Sequence, residues 1–493
     1  MTTKQARQFA IDVSWAFASS FITIPLSFIL RIFLARWLGP SDLGLYQMVI
    51  TIYSITMMAA AFGIPTAIIK FSAEYRDDRN QLNQFMTTGV LLSILLGVVA
   101  GIVVYILSST LSTIFNMPEL SSLLKLLALI FPFTCIFQTS IALVNGLRWM
   151  RRYAFLIFLQ SITMITFTTA FVAMGFALKG AVSGLVISMA FTSIVSLAAS
   201  LRFYHVDFTF LREKALILLG YGRYLFGSDA MNIIAANSDI LLIGFFLNRS
   251  AVGFYSIAIS ISMILAFIPT AIQKITYPAA SEFSGKDEVH QLTIMLDKSM
   301  KYTALVLVPM GLFIVFYTEE IIGFLFGESY LASSLPLIIM IAGRVIRGSI
   351  SGSIGSIFTS IGRPEASFFL DAFSAISGIL LMVLLIPSLG INGAALSNMT
   401  AMILGTVIFI VLISHLVLFR IDMKWYLGLS VLALLCTTIF FLLNMLTLKY
   451  FTGPLIICVF FLVAWRYFLT RNDIIFFTSY LLTVKERFTR KKT

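Results

Sequence analysis

The chain has 493 residues, of which 59% are hydrophobic and 11% charged, with a mean hydropathy of +0.99 and a formal net charge of +12. Soluble globular proteins carry about 25% charged residues, so this composition excludes a soluble enzyme or a soluble binding module. Apolar stretches of roughly 20 residues, the length that crosses a ~30 Å hydrocarbon core, recur from Ile11 to Leu469 and mark an all-α polytopic membrane protein.

The short polar start, Met1 to Ala10, leads into an apolar segment too long for a signal-peptide core and without a small-residue cleavage site, so it is predicted to be the first span. Hydropathy predicts about fourteen helices, over 12–37, 45–69, 86–108, 123–145, 154–176, 180–201, 222–247, 253–275, 301–325, 332–360, 366–388, 392–416, 426–447 and 450–469. An even number puts both termini on one side. Most of the 34 Lys and Arg fall on that side: in the tails, in 70–79, 148–152, 202–223 and 274–301, and at Arg363, Arg420 and Lys424. Only Lys179, Arg249 and Lys449 lie in opposite loops. Basic loops stay in the cytoplasm, so both termini are expected there, in a multi-pass protein of the plasma membrane. The net charge suits anionic lipid headgroups, and no module for reading nucleic acid accompanies it.

Within this order a motif repeats. Trp37-Leu38-Gly39-Pro40-Ser41-Asp42-Leu43-Gly44-Leu45-Tyr46 returns 209 residues later as Phe246-Leu247-Asn248-Arg249-Ser250-Ala251-Val252-Gly253-Phe254-Tyr255. Six predicted spans separate the copies, so two pseudo-symmetric six-helix lobes share one orientation about an axis along the membrane normal. The predicted organisation is an N-terminal lobe at 1–201, a cytoplasmic linker at 202–221, a second lobe at 222–418, an added helix pair at 419–470 and a basic cytoplasmic tail at 471–493.

Two such lobes enclose a cavity on their axis. In the first helix Ser20, Thr23, Ser27 and Arg31 share a face, and in the seventh Asp229, Asn232 and Asp239 form a polar stripe, so these two helices are expected to be cavity walls. Pro25 removes a backbone hydrogen bond inside the first helix and is expected to kink it. Gly97/Gly101, Gly180/Gly184 and Gly348/Gly352 have the spacing of close helix packing. Cys135, Cys436 and Cys458 have no metal or redox spacing, and neither a metal nor a cofactor is expected.

The residues Ala35-Arg36-Trp37-Leu38-Gly39-Pro40, Gly44-Leu45-Tyr46, Gly63-Ile64-Pro65-Thr66-Ala67 and Phe71-Ser72-Ala73-Glu74-Tyr75 come in the first half. Asp239-Ile240-Leu241-Leu242-Ile243-Gly244, Phe326-Gly327-Glu328-Ser329-Tyr330, Gly362-Arg363-Pro364 and Pro387 with Gly390-Ile391-Asn392-Gly393-Ala394-Ala395 come in the second. In this order and spacing the chain resembles the polysaccharide flippases, the O-antigen-type exporters within the multidrug/oligosaccharidyl-lipid/polysaccharide superfamily. The resemblance implies transport without chemistry: a cavity takes a polyprenyl-diphosphate-linked glycan in the cytoplasmic leaflet and releases it in the outer one by alternating access, for cell-surface polysaccharide biosynthesis. It also implies contact with polysaccharide-assembly proteins.

A diphosphate in a low-dielectric cavity needs fixed cations, and Arg binds phosphate bidentately while staying charged. Arg31, Arg344 and Arg347 are the candidates, with Ser351 on the face of the latter two; Arg344 lies about 14 Å into the membrane by helix rise. Arg36, at a membrane end, is expected to snorkel to the interface. Asp229, Asp239 and Asp371 could instead pair with these arginines, or could couple transport to Na⁺ or H⁺. The alternatives are a cation-coupled multidrug antiporter of the same superfamily, disfavoured by the arginines, and a membrane glycan polymerase or ligase. The latter is disfavoured because the predicted outer loops are short and His205, His290 and His415 are scattered on the cytoplasmic side. A peptidoglycan precursor as cargo stays open.

Overall fold

The computed structural model describes residues 3–200, 210–286, 288–417, 419, 421–444 and 449–469, excepting the side chains at 3–13, 16–21, 224–225, 227–232, 444 and 449–450. The expected tail at 471–493 and the first part of the expected linker lie outside the described residues. Every regular element among the described residues is helical, as an apolar setting demands, because a helix satisfies its own backbone polar groups.

The first unit comprises Met1–Ser260, Ile322–Ser333 and Ile379–Ala394. Its main helices are α1 (Thr3–Ala61), α2 (Ile64–Glu74), α3 (Arg79–Ile114), α4 (Pro118–Leu127), α5 (Ile130–Gly146), α6 (Met150–Phe171), α7 (Ala177–Ser200), α8 (Leu211–Phe246) and most of α9 (Arg249–Ser262). Local signals set the boundaries. Gly63 takes a left-handed φ of 70° with Pro65 in the first turn after it, and the Asp78 carboxylate accepts from the backbone N–H groups of Asn80 and Gln81 at 3.0 and 3.1 Å to cap α3. At the core, the Phe71 and Phe85 rings stack at 4.5 Å over buried Ile64, Ile68 and Met86. A Cβ at Gly97 would meet Pro132 Cα at 2.7 Å and one at Gly184 would meet Thr168 Cα at 2.5 Å, the close backbone approach that lipid-solvated helices need to associate.

The second unit comprises Ile261–Ile321, Ser334–Gly378 and Ala395–Thr493. It holds α10 (Phe267–Gly285), α11 (Val289–Phe316), α12 (Thr318–Leu325, which ends in the first unit), α13 (Ser334–Arg347), α14 (Ile357–Ser360), most of α15 (Pro364–Leu416), α16 (Met423–Asn444) and α17 (Lys449–Tyr467). The rings of Phe316 and Phe440 stack at 3.9 Å, both almost fully buried. At the other end of that seam Lys301 bridges Asp297 at 3.0 Å and Asp422 at 3.3 Å, and the Trp425 indole N–H donates to the Phe468 carbonyl at 3.2 Å. These contacts fasten α16 and α17 to α11.

Among the described residues eight helices are long and apolar enough to cross a membrane, or nine if α4 and α5, bent by 45°, are one span; Ile233–Phe246 and Phe451–Tyr467 are shorter apolar helices. The number is below the fourteen expected because three of these helices are far longer than one crossing. The 59 residues of α1 would rise about 88 Å, nearly three hydrocarbon cores, and α1 is broken at Gly39 (φ 75°), the Met150–Ser200 helix at Gly175 (φ 90°) and α15 at Gly390 (φ 59°). A positive φ is open to glycine and strained for residues bearing a Cβ. Pro25, by contrast, sits in unbroken helix. Each unit exposes large apolar side chains, Ile106 and Leu384 in the first and Leu434 and Phe451 in the second, as lipid contact requires and water would not tolerate.

Candidate functional site

In the first unit the polar face of α1 is built one turn at a time. The Ser27 hydroxyl donates to the Thr23 carbonyl at 3.0 Å, which leaves its oxygen able to accept. One turn on, half-buried Arg31 donates from Nη1 to the Ser256 carbonyl at 3.2 Å and to the Ser260 hydroxyl, and from Nη2 to Gln47 Oε1 at 3.1 Å. These acceptors are uncharged. They take three hydrogen bonds from the guanidinium without neutralising it, which leaves a fixed positive charge in an apolar helix. Arg36 is exposed at its own position on α1. It donates to the Phe324 and Leu325 carbonyls and so caps the end of α12.

Asp239 is buried on α8 and its carboxylate accepts from the Ile240 backbone N–H at 2.8 Å. Asp229 and Asn232 lie on the same helix, with side chains outside the described residues.

In the second unit half-buried Arg344 donates from Nε to the Ser262 hydroxyl at 2.9 Å. Arg347 is the last residue of α13, is exposed, and acts electrostatically on Asp371 of α15, which is exposed as well. The Ser351 hydroxyl donates to the Arg347 carbonyl at 3.2 Å and lies 3.4 Å from the Thr406 hydroxyl. The turn between them, Gly348–Gly352, is π-helical, a wider turn than α that often accompanies functional positions. Arg347 and Asp371 are thus coupled by charge, while Ser351 joins the Arg347 backbone to Thr406 of α15. Sequence reasoning missed Gln47, Ser256, Ser260, Ser262 and Thr406. Hydroxyl residues are common in apolar helices, and nothing in their spacing shows which of them will meet a cation on another helix. The repeat offered one signal, since Ser256 and Gln47 sit directly after its tyrosines.

The second unit also has a cavity of about 410 Å³, open on one side, between α11, α13 and α16, lined by Val308, Leu312, Ile341, Val345, Leu429 and Leu434 among others. Its walls are mostly apolar. Among the described residues no group of three or more His, Cys, Asp or Glu could hold a metal ion.

Long apolar helices, breaks at glycine and arginines inside the spans define a polytopic membrane transporter. The fold is similar to that of the lipid II flippase MurJ in an inward closed conformation, with a TM-score of 0.74 at 15% identity over 92% of this chain and 99% of that one. It is also similar to an inward-facing multidrug transporter of the superfamily, with a TM-score of 0.59 at 15% identity over 80% and 96% of the two chains. The chain belongs to the polysaccharide biosynthesis protein family, whose model matches residues 33–335. A relative from Haloferax volcanii, described as "Probable low-salt glycan biosynthesis flippase", is 24% identical over 78% of this chain and 79% of its own. A lipopolysaccharide biosynthesis protein of Escherichia coli is 21% identical over 80% and 78%.

Proposed function

We propose that this protein is a flippase that moves a polyprenyl-diphosphate-linked oligosaccharide from the cytoplasmic to the outer leaflet, by alternating access, for cell-surface polysaccharide biosynthesis. It is a transporter and not an enzyme, in keeping with its family and its flippase relatives. In this reading the protein lies in the plasma membrane with both termini in the cytoplasm, each glycine-broken helix makes two crossings, and fourteen crossings form two lobes and an added pair.

The observation that carries the reading is the un-neutralised Arg31. An arginine inside a span needs a polar reason to be there, and here its partners leave its charge available to an anion. Arg344 and Arg347 supply two further cations, and Thr23, Ser27, Asn232 and Ser351 supply hydroxyl and amide groups for sugar. The apolar cavity offers hydrocarbon a dry berth. Asp229, Asp239 and Asp371 are the candidates for coupling to Na⁺ or H⁺, and polysaccharide-assembly proteins would receive the cargo. Three cations do not suit the cationic cargo of a multidrug antiporter.

The test is outward translocation of a polyprenyl-diphosphate oligosaccharide in proteoliposomes, comparing wild type with Arg344→Ala and Arg347→Ala while folding is followed independently. Loss of transport in folded variants is expected. Unchanged transport would make these arginines structural, and drug efflux with no glycan translocation by wild type would move the protein to the antiporters.

A further inference from the structure

The repeated motif has a use that its sequence does not announce. Pro40 and Arg249 are equivalent positions of the two copies, and so are Gly44 and Gly253. A Cβ at Gly44 would lie 1.7 Å from the Arg249 carbonyl oxygen, and a Cβ at Gly253 would lie 2.0 Å from the Pro40 carbonyl oxygen. Each copy therefore sets its glycine against the backbone of the other copy's turn. Position i meets j′ while i′ meets j, which is the signature of a contact across a two-fold axis. Both glycines are in the first unit, as are all the residues around them.

The seam is tight and dry. Leu43, Leu45, Val252 and Tyr255 are buried along it. The Phe326–Ser333 segment closes over it: the Tyr330 hydroxyl donates to the Ala35 carbonyl at 3.0 Å, and the Ser333 hydroxyl donates to the Phe254 carbonyl at 2.8 Å. Arg31 stands at its edge and joins Gln47, three residues past Gly44, to Ser256, three residues past Gly253. Backbone-to-backbone contacts of this kind fit closely but are individually weak, so such a seam excludes water when shut and still parts readily. Side chains interlocked at the same place would not.

We propose that the two copies of the motif are the outer gate of the transporter, closed by reciprocal glycine-to-carbonyl contact and latched by Arg31. The word outer rests on the orientation given above; the gate itself rests on the seam. A Cβ at either glycine would force the opposing carbonyl back by about 1.5 Å to reach an ordinary C···O separation, so either Gly→Ala substitution wedges the gate open without touching the arginines of the second unit.

The test is an electron paramagnetic resonance distance between spin labels at Trp37→Cys and Asn248→Cys, both exposed and on opposite copies, in a background lacking Cys135, Cys436 and Cys458 and reconstituted in liposomes. Wild type is expected to show mainly a short distance. Gly44→Ala and Gly253→Ala should each shift at least half of the population to a longer one, and Gln47→Ala, which loosens the latch, should do so to a smaller extent. Gly184→Ala, at another close packing point away from the seam, where a Cβ would meet Thr168 Cα at 2.5 Å, should leave the distance unaltered. Folded Gly44→Ala and Gly253→Ala proteins with wild-type distances would overturn the proposal, as would an equal shift in Gly184→Ala. The readout needs no cargo, so a protein that moves no lipid-linked glycan but whose glycine variants lengthen the distance refutes the flippase reading and leaves the gate standing.

Discussion

Replacing Lys301 with Met should detach the added helix pair at one end. The lysine is only 21% exposed on its side chain and meets Asp297 at 3.0 Å, Asp422 at 3.3 Å and the face of Trp425 at 5.7 Å. Asp422 is 48% exposed, so water and salt screen its pair, and each ion pair is worth about 0.2–1 kcal/mol. A partly exposed cation–π contact adds about 0.5–1 kcal/mol. Losing all three while leaving two carboxylates near one another gives a loss of about 1–3 kcal/mol. Methionine keeps the apolar stem, so the change reads charge rather than packing. The assay is hydrogen exchange at the amides of 423–430, with thermal unfolding in the same detergent, for Lys301→Met, Asp422→Asn and the double variant. Local protection should fall in each single variant, and the double should lose less than the sum. Additive losses, or unchanged exchange in Lys301→Met, would show that α16 is held by its apolar contacts alone, above all Phe440 on Phe316.

Two further outcomes are expected. Glu119 lies in the first turn of α4, where a backbone N–H in its own turn holds its carboxyl below the usual carboxylate range and the Arg249 guanidinium at 3.0 Å adds to this. A depressed carboxylate contributes stability that is present above its unfolded pKa and is lost as pH falls through its lower folded value; unfolding temperature should therefore decline from about pH 4.5 downward, and Glu119→Gln should flatten that limb. Arg31→Lys keeps the charge but loses the planar fork that spans Gln47, Ser256 and Ser260 at once. Translocation should fall at least tenfold with folding intact; a Lys variant as active as wild type would show that charge alone suffices there.

Much of the helical order was legible because hydropathy reports lipid exposure directly, and Leu, Ile and Phe are prominent among the exposed side chains. The breaks at Gly39 and Gly390 also fell in the gaps between predicted helices, since glycine is the residue that admits a positive φ. Pro25 lies within continuous helix, and neighbouring helices in a membrane can absorb its missing hydrogen bond. The partners of Arg36 were not legible: the carbonyls ending α12 come within its reach, and a helix end needs partners wherever it lies. The acceptors of Arg31 and Arg344 were hidden because each depends on the rotation of another helix about its axis, which apolar periodicity barely constrains when a helix is apolar all round.

The reciprocal glycine seam also carries a history. A contact in which a motif meets its own copy is one that two identical half-length chains could have made before any fusion. After such a fusion the copies would be free to diverge, as Asp42 differs from Ala251 and Gly39 from Asn248. The two glycines could not, because each answers to a carbonyl on the other side. Residues that keep an ancestral symmetry in a duplicated protein are then those whose partner is their own former twin.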